Sequence, residues 1–253
     1  MDPIAFHVGQ LPIRWYGVFV ALGFLAAFYL VQYNARKKGF SKDAAADLVF
    51  IAMLGGILGA RLFYVVQNWG DYRGNLLEIV RVDHGGLVFY GGFFGALVAV
   101  GLACFRKSYS VAEVGDVFAP ALPLGHALGR VGCFLNGCCH GKPWSGIAAV
   151  HYPQISQPVF PIQLVSSAMN LFICVVLLGL SSRLRRRGQL FPIYMLLYAT
   201  GRFVVEFARG DYAAGQYVGP FTPAQIICLL LLPVGTVWLV AVRRSALGGF
   251  LSE

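Results

Sequence analysis

Apolar residues run through this chain in seven long blocks, near 15–33, 45–66, 86–105, 117–135, 161–181, 190–207 and 222–242. Each is close to the 20 or so residues that a helix needs to cross the hydrocarbon of a bilayer. The pattern predicts an all-α polytopic membrane protein with seven transmembrane helices, forming a single integral membrane domain over residues 1–253. Small residues four apart recur as Gly55-x-x-x-Gly59 and Gly56-x-x-x-Ala60 in the second block, and as Gly91-x-x-x-Gly95 and Gly92-x-x-x-Ala96 in the third. Such residues share a helix face and let backbones approach closely, which predicts packing rather than chemistry.

A hydrophobic fraction of 58% against 12% charged residues agrees with a membrane chain. Met1-Asp2-Pro3 lacks a basic leader and no small-residue cleavage site follows the first block, so that block is expected to be a span rather than a cleavable signal. Of the 20 Lys and Arg residues, twelve fall on one side: Arg36, Lys37, Lys38, Lys42, Arg106, Lys107, Arg183, Arg185, Arg186, Arg187, Arg243 and Arg244. Five (Arg14, Arg73, Arg81, Lys142 and Arg209) fall on the other, and Arg61, Arg130 and Arg202 lie inside blocks. The positive-inside rule then places the N-terminus outside and the C-terminus in the cytoplasm. The net charge of +9 follows from this bias and from attraction to anionic lipid, so no nucleic-acid partner is implied.

The polar remainder is small. Arg130 sits in the run Gly129-Arg130-Val131-Gly132-Cys133-Phe134-Leu135-Asn136-Gly137-Cys138-Cys139-His140-Gly141, which follows the apolar stretch 117–128 without a loop. A guanidinium at membrane depth costs roughly 2.5–3.5 kcal/mol on insertion scales and normally faces a polar cavity or an anion. His126 and Arg130 are four apart on one helix face, and Tyr198, Arg202 and Glu206 repeat that spacing in the sixth block. Arg202 and Glu206 are placed to neutralise each other, whereas Arg130 has no acid in its own block. Two arginines with at most one acid suggest a phosphate receptor, since the Arg fork suits phosphate well. Trp15-Tyr16-Gly17 begins the first block and His84-Gly85-Gly86-Leu87-Val88-Phe89-Tyr90-Gly91-Gly92 leads into the third. Cys133, Cys138, Cys139 and His140 match no common zinc spacing, so no metal and no cofactor are expected.

Four of these blocks, in this order, resemble the prolipoprotein diacylglyceryl transferase family: Trp15-Tyr16-Gly17, Gly85 to Gly92, Gly129 to Gly141, and Tyr198-x-x-x-Arg202-x-x-x-Glu206-Phe207-x-Arg209. The resemblance implies transfer of a diacylglyceryl group from phosphatidylglycerol to the lipobox cysteine thiol of a prolipoprotein signal peptide, with glycerol-1-phosphate released. It implies a multi-pass protein of the bacterial cytoplasmic (inner) membrane, in contact with membrane lipids. Arg130, Arg202, Tyr90 and Tyr16 become the candidate catalytic residues. Asn136, Gly141, Tyr198, Glu206 and His84, with Arg130, become the candidate substrate contacts.

The chain departs from the family pattern in three places. Tyr90 stands where a His is common, and a phenol with a reference pKa near 10 is a poor base at neutral pH. Cys133 and Cys138-Cys139-His140 replace an Asn and a Glu-Leu-Trp-like run. The fifth block begins Phe160-Pro161-Ile162-Gln163-Leu164-Val165-Ser166 in place of His-Pro-x-Gln-Leu-Tyr-Glu. Two other expectations therefore stand beside the transferase: a divergent paralogue moving a phospholipid-derived group to another acceptor, and a non-enzymatic lipid or anion carrier.

Overall fold

The computed structural model describes residues 3–9, 11–81, 85–184, 187–212 and 217–248. A short antiparallel hairpin, β1 (Ile4–Val8) and β2 (Leu11–Arg14), precedes a series of helices. These are α1 (Trp15–Lys37), α2 (Lys42–Gln67), α3 (Trp69–Tyr72), α4 (Phe89–Arg106), α5 (Val111–Phe118), α6 (Ala121–Asn136), α7 (Ile162–Ser181), α8 (Leu190–Glu206) and α9 (Pro223–Gly248), with a 3-10 turn at Leu76–Val80. Each of the seven apolar blocks thus carries a helix. Four of them, α1, α2, α7 and α9, are long and apolar enough to cross a bilayer, and α4 is a shorter apolar helix. Large apolar side chains such as Phe24, Leu58, Phe105, Phe172 and Leu230 lie more than half exposed, as lipid-facing surfaces require. The chain is a mostly helical polytopic membrane protein.

The fourth block differs from its reading as one uninterrupted span. Helix α5 ends at Phe118 and α6 starts at Ala121. Pro120 accounts for the break, because its ring removes a helical N–H and disfavours helix at the preceding residue. The 16 residues of α6 then end on Gly137, whose φ of +73° is left-handed. The Cys138 amide bonds the Cys133 carbonyl at 3.2 Å and the Gly137 amide bonds that of Phe134 at 3.2 Å, forming a Schellman closure.

The chain divides into two compact units, residues 31–114 and residues 1–30 with 115–253. In the first, α2 and α4 pack along the glycine faces read from the sequence. A Cβ added at Gly59 would lie 2.8 Å from the Gly95 Cα, and one at Gly55 2.8 Å from the Gly95 carbonyl oxygen. Arg61, also on α2, is buried and fully engaged. Its guanidinium donates to the carbonyls of Ile79 (2.8 Å), Gly85 (2.7 Å), Gly86 (3.2 Å) and Glu78 (2.5 Å), tying the 3-10 turn and the start of the Gly85-Gly86 run to α2.

In the second unit, α6, α7, α8 and α9 pack in chain order. The first turns of α1 meet α6 where Gly23 approaches Gly125 and where Tyr16 and Phe19 cover Gly132. Asp116 of α5 is 1% exposed and caps α8 from a distance. Its carboxylate accepts from the amides of Gly188 (2.6 Å), Leu190 (2.8 Å) and Phe191 (3.1 Å), matching its negative charge to the positive end of that helix. Ala119, Ile173, Leu177 and Leu190 form the apolar core beneath this cap.

Gly59→Ala is expected to destabilise the protein by about 1–3 kcal/mol through overpacking against α4. Thermal unfolding in detergent checks this, and an unchanged midpoint would show that α2 and α4 do not depend on the close approach.

Candidate active site

Helix α8 supplies the first charged element because Arg202 and Glu206 are one turn apart. They form an ion pair, Nη2 to Oε2 at 2.5 Å, with the Glu206 side chain wholly buried. Glu206 is held further by Thr222, whose hydroxyl donates to Oε1 at 3.0 Å, and by the Tyr212 hydroxyl. Burial, together with that bond to Glu206, pushes the Tyr212 phenol up to about 12, so it remains a donor at neutral pH. Three residues along, Arg209 forks onto Asp211 at 2.9 and 2.7 Å and lies over the Tyr212 ring. Burial opposes the Arg209 charge, but the Asp211 hydrogen bonds outweigh it and hold its pKa above the ordinary arginine value. Arg202 and Arg209 are thus each matched by a carboxylate. The Nη1 of Arg202, however, is buried without a hydrogen-bond partner among the described residues.

Helix α6 brings Arg130 to the same neighbourhood. The charges of Arg130 and Arg202 both act on His126 and on Tyr198, whose rings pack at 5.5 Å between centroids. Arg130 is half-buried, and among the described residues it has neither an ion pair nor a hydrogen bond. Tyr16 feels the same Arg130 charge and covers Gly132 with its backbone. Arg130 thus neighbours both Tyr16 and the Tyr198–Arg202–Glu206 face of α8. A half-buried cation with no acid partner among the described residues and a second cation with an orphaned N–H leave this group with surplus positive charge.

The polypeptide after α6 is irregular, and it is held by other backbone. The Gly141 amide donates to the Phe160 carbonyl (3.0 Å), Lys142 to Ala208 (3.0 Å), and Gly210 to His140 (3.1 Å). A Cβ on Gly141 would lie 2.6 Å from the Phe160 oxygen and 3.0 Å from that of Ala208. Gly141, expected as a substrate contact, is therefore placed where three backbone segments crowd together. The Gln163 side chain donates to the Cys138 carbonyl at 2.8 Å, and the Tyr152 hydroxyl to Phe134 at 3.0 Å. Asn136 is the last residue of α6.

Two candidates remain. Tyr90 starts α4 in the unit of residues 31–114, where it is 38% exposed. His84 lies outside the described residues. The sequence reading also missed a feature. Cys133, Cys138 and Cys139, all free thiols, have their sulfurs within 4.8 Å of one another. The turn at Gly137 folds the vicinal pair back onto the last turn of α6, which linear spacing does not reveal. The available signal was the glycine that ends α6 immediately before the pair.

With this geometry in view, comparison with known proteins decides the family. The family model described as prolipoprotein diacylglyceryl transferase matches residues 3–241. The chain belongs to that family. It is 37% identical over 238 residues to a phosphatidylglycerol–prolipoprotein diacylglyceryl transferase of Clostridium botulinum strain Langeland, covering 91% of this chain and 92% of that one. A Clostridium kluyveri protein of the same name is 37% identical over 244 residues, with 91% and 92% covered.

Glu206→Gln removes the countercharge of a buried guanidinium, so an expected loss of about 3 kcal/mol follows. Arg130→Gln removes no internal pair and is expected to leave stability within about 0.5 kcal/mol. Unfolding midpoints of the two variants in the same detergent check the contrast, and equal losses would mean that Arg130 is also internally paired.

Proposed function

We propose that this protein transfers the diacylglyceryl group of phosphatidylglycerol to the lipobox cysteine of prolipoproteins and releases glycerol-1-phosphate. The single observation that carries the reading is Arg130, a cation without an internal partner among the described residues, near a second guanidinium with an unused N–H. The relatives that bear the transferase name span nearly the whole chain. The protein works as one integral membrane domain of the cytoplasmic membrane, crossing seven times with the N-terminus outside.

The chemistry asks little nucleophilic equipment of the enzyme. The acceptor peptide brings the sulfur, which attacks the glyceryl carbon as a thiolate while the carbon–oxygen bond to phosphate breaks. Negative charge grows on the departing phosphate oxygens. Arg130 binds the lipid phosphate and Arg202 Nη1 donates to the leaving group as that charge develops. Such pre-set donors are commonly the largest catalytic contribution, worth about 10²–10³ in rate for one donor. Glu206 fixes Arg202 through the short ion pair, Tyr198 and Tyr16 border the anion, and Asn136 and Gly141 hold the backbone beside it. Tyr90 and His84 stay in this reading as contacts to lipid or peptide.

Purified protein with phosphatidylglycerol and a lipobox-cysteine peptide is expected to form the diacylglyceryl thioether, seen by mass spectrometry, with equimolar glycerol phosphate. Arg130→Ala is expected to lower the rate at least 100-fold. Phosphatidylglycerol bound through Arg130 without any thioether would instead identify a carrier, and transfer to a different acceptor would identify the divergent paralogue.

A further inference from the structure

The sulfurs of Cys133, Cys138 and Cys139 lie within 4.8 Å of one another, and each residue is half-buried rather than sealed in the core. A thiophilic ion at about 2.3 Å from three sulfurs sets them about 4 Å apart, so the triangle needs to contract by less than about 1 Å to hold one. The backbone is already committed to this arrangement. Cys139 has φ +57°, a left-handed conformation that a non-glycine residue seldom adopts. The Cys138 thiol and amide both turn back to the Cys133 carbonyl. Charge is matched as well, because Arg130 and Arg209 both act on Cys139 and would offset the surplus negative charge of three thiolates around a divalent ion. Among the described residues no fourth protein ligand completes the set. His140, the nearest imidazole in sequence, has its Nδ1 on the Gly141 carbonyl at 3.0 Å. Three protein ligands and an open position are the pattern of a catalytic rather than a structural zinc site.

We propose that Cys133, Cys138 and Cys139 bind one zinc ion as thiolates, and that its open position receives the acceptor thiol of the lipobox peptide. The second half rests on the transferase reading. Binding releases the protons of the three resident thiols to solvent, and coordination of the acceptor releases its S–H proton likewise. The zinc-held sulfur then forms the C–S bond to the glyceryl carbon as the C–O bond breaks, and the electron pair leaves with the phosphate facing Arg130. A bound cation thereby supplies the thiolate, which Tyr90 is poorly suited to generate as a base.

The test uses the full chain in detergent, reduced with a phosphine and titrated with Co²⁺ alone. One equivalent should bind with thiolate-to-cobalt charge-transfer absorption, displaced by Zn²⁺, and Cys139→Ser and Cys133→Ser should weaken binding at least tenfold. Cys139→Gly, which suits the left-handed backbone, should lose the metal while still binding phosphatidylglycerol. An absent band, a band unchanged in these variants, or a disulfide among the three revealed by alkylation mass of unreduced protein overturns the site. Added lipobox-cysteine peptide should raise the band towards four thiolates, and its serine counterpart should not. No response to the cysteine peptide, or full thioether formation by metal-stripped protein, overturns the acceptor role while leaving the transferase intact. Metal-loaded wild type that binds the peptide sulfur yet forms no thioether overturns the transferase reading and, with it, the acceptor role, but not the metal site.

Discussion

A positive charge in apolar surroundings must be matched, and that constraint organises most of the polar structure in this protein. Arg61 is matched by four backbone carbonyls, Arg202 by Glu206 and Arg209 by Asp211. Each solution also fixes something else: a turn, a helix, a loop. Asp116 obeys the same requirement with the sign reversed, since its carboxylate is spent on the first amides of α8. Once these pairs are made, Arg130 is left over among the described residues. An unmatched guanidinium is costly to keep, so its counterion is expected from outside the chain, and a phospholipid phosphate has the charge and the geometry for it.

Placing that charge depends on backbone that is neither helix nor strand. After Gly137 the chain leaves α6 and runs through residues 138–143, where amides and carbonyls cannot be left to apolar surroundings. They are matched instead by residues 158–160 and 208–210. Gly141 and Gly210 permit this crowding, because a side chain at either would collide with a neighbouring carbonyl oxygen. The result ties the end of α6 to the end of α8. Arg130 and Arg202 are therefore held on two helices whose C-terminal ends share one hydrogen-bonded loop cluster. Rigid support of that kind is what transition-state stabilisation by fixed charge needs.

Helical, membrane-type organisation was legible in the sequence because a bilayer imposes a length, and all seven apolar blocks carry helices, four of them long and apolar enough to cross. The α2–α4 contact was legible too, since small residues four apart have few other uses in an apolar helix. So was the Arg202–Glu206 pair, from its spacing of four. What escaped has a common physical cause. Arg61 bonds carbonyls, which every residue has, so nothing in the residue types marks its partners. Asp116 reaches amides more than 70 positions away. The break at residues 119–120 was hidden by an apolar run, although Pro120 announced it. The sulfur triangle required a chain reversal, which residue counting between ligands does not represent.

Under the proposed function, the departures from the family pattern bear on how the acceptor thiol is activated, while Arg130 and Arg202 are kept. Loss of an imidazole at position 90 removes a base from one unit, and the triad of thiols is a set of soft ligands in the other. A general base and a Lewis-acidic ion are two ways to the same species, a thiolate at neutral pH. The second way places two requirements in one stretch of chain. Arg130 lies three residues before Cys133, so in the proposed mechanism one helix end would present both a cation to the leaving phosphate and a sulfur ligand for the ion that receives the thiol. Nucleophile and leaving group must sit on opposite sides of one glyceryl carbon for in-line displacement, and a single rigid helix terminus can set both positions with less uncertainty than two independently moving segments.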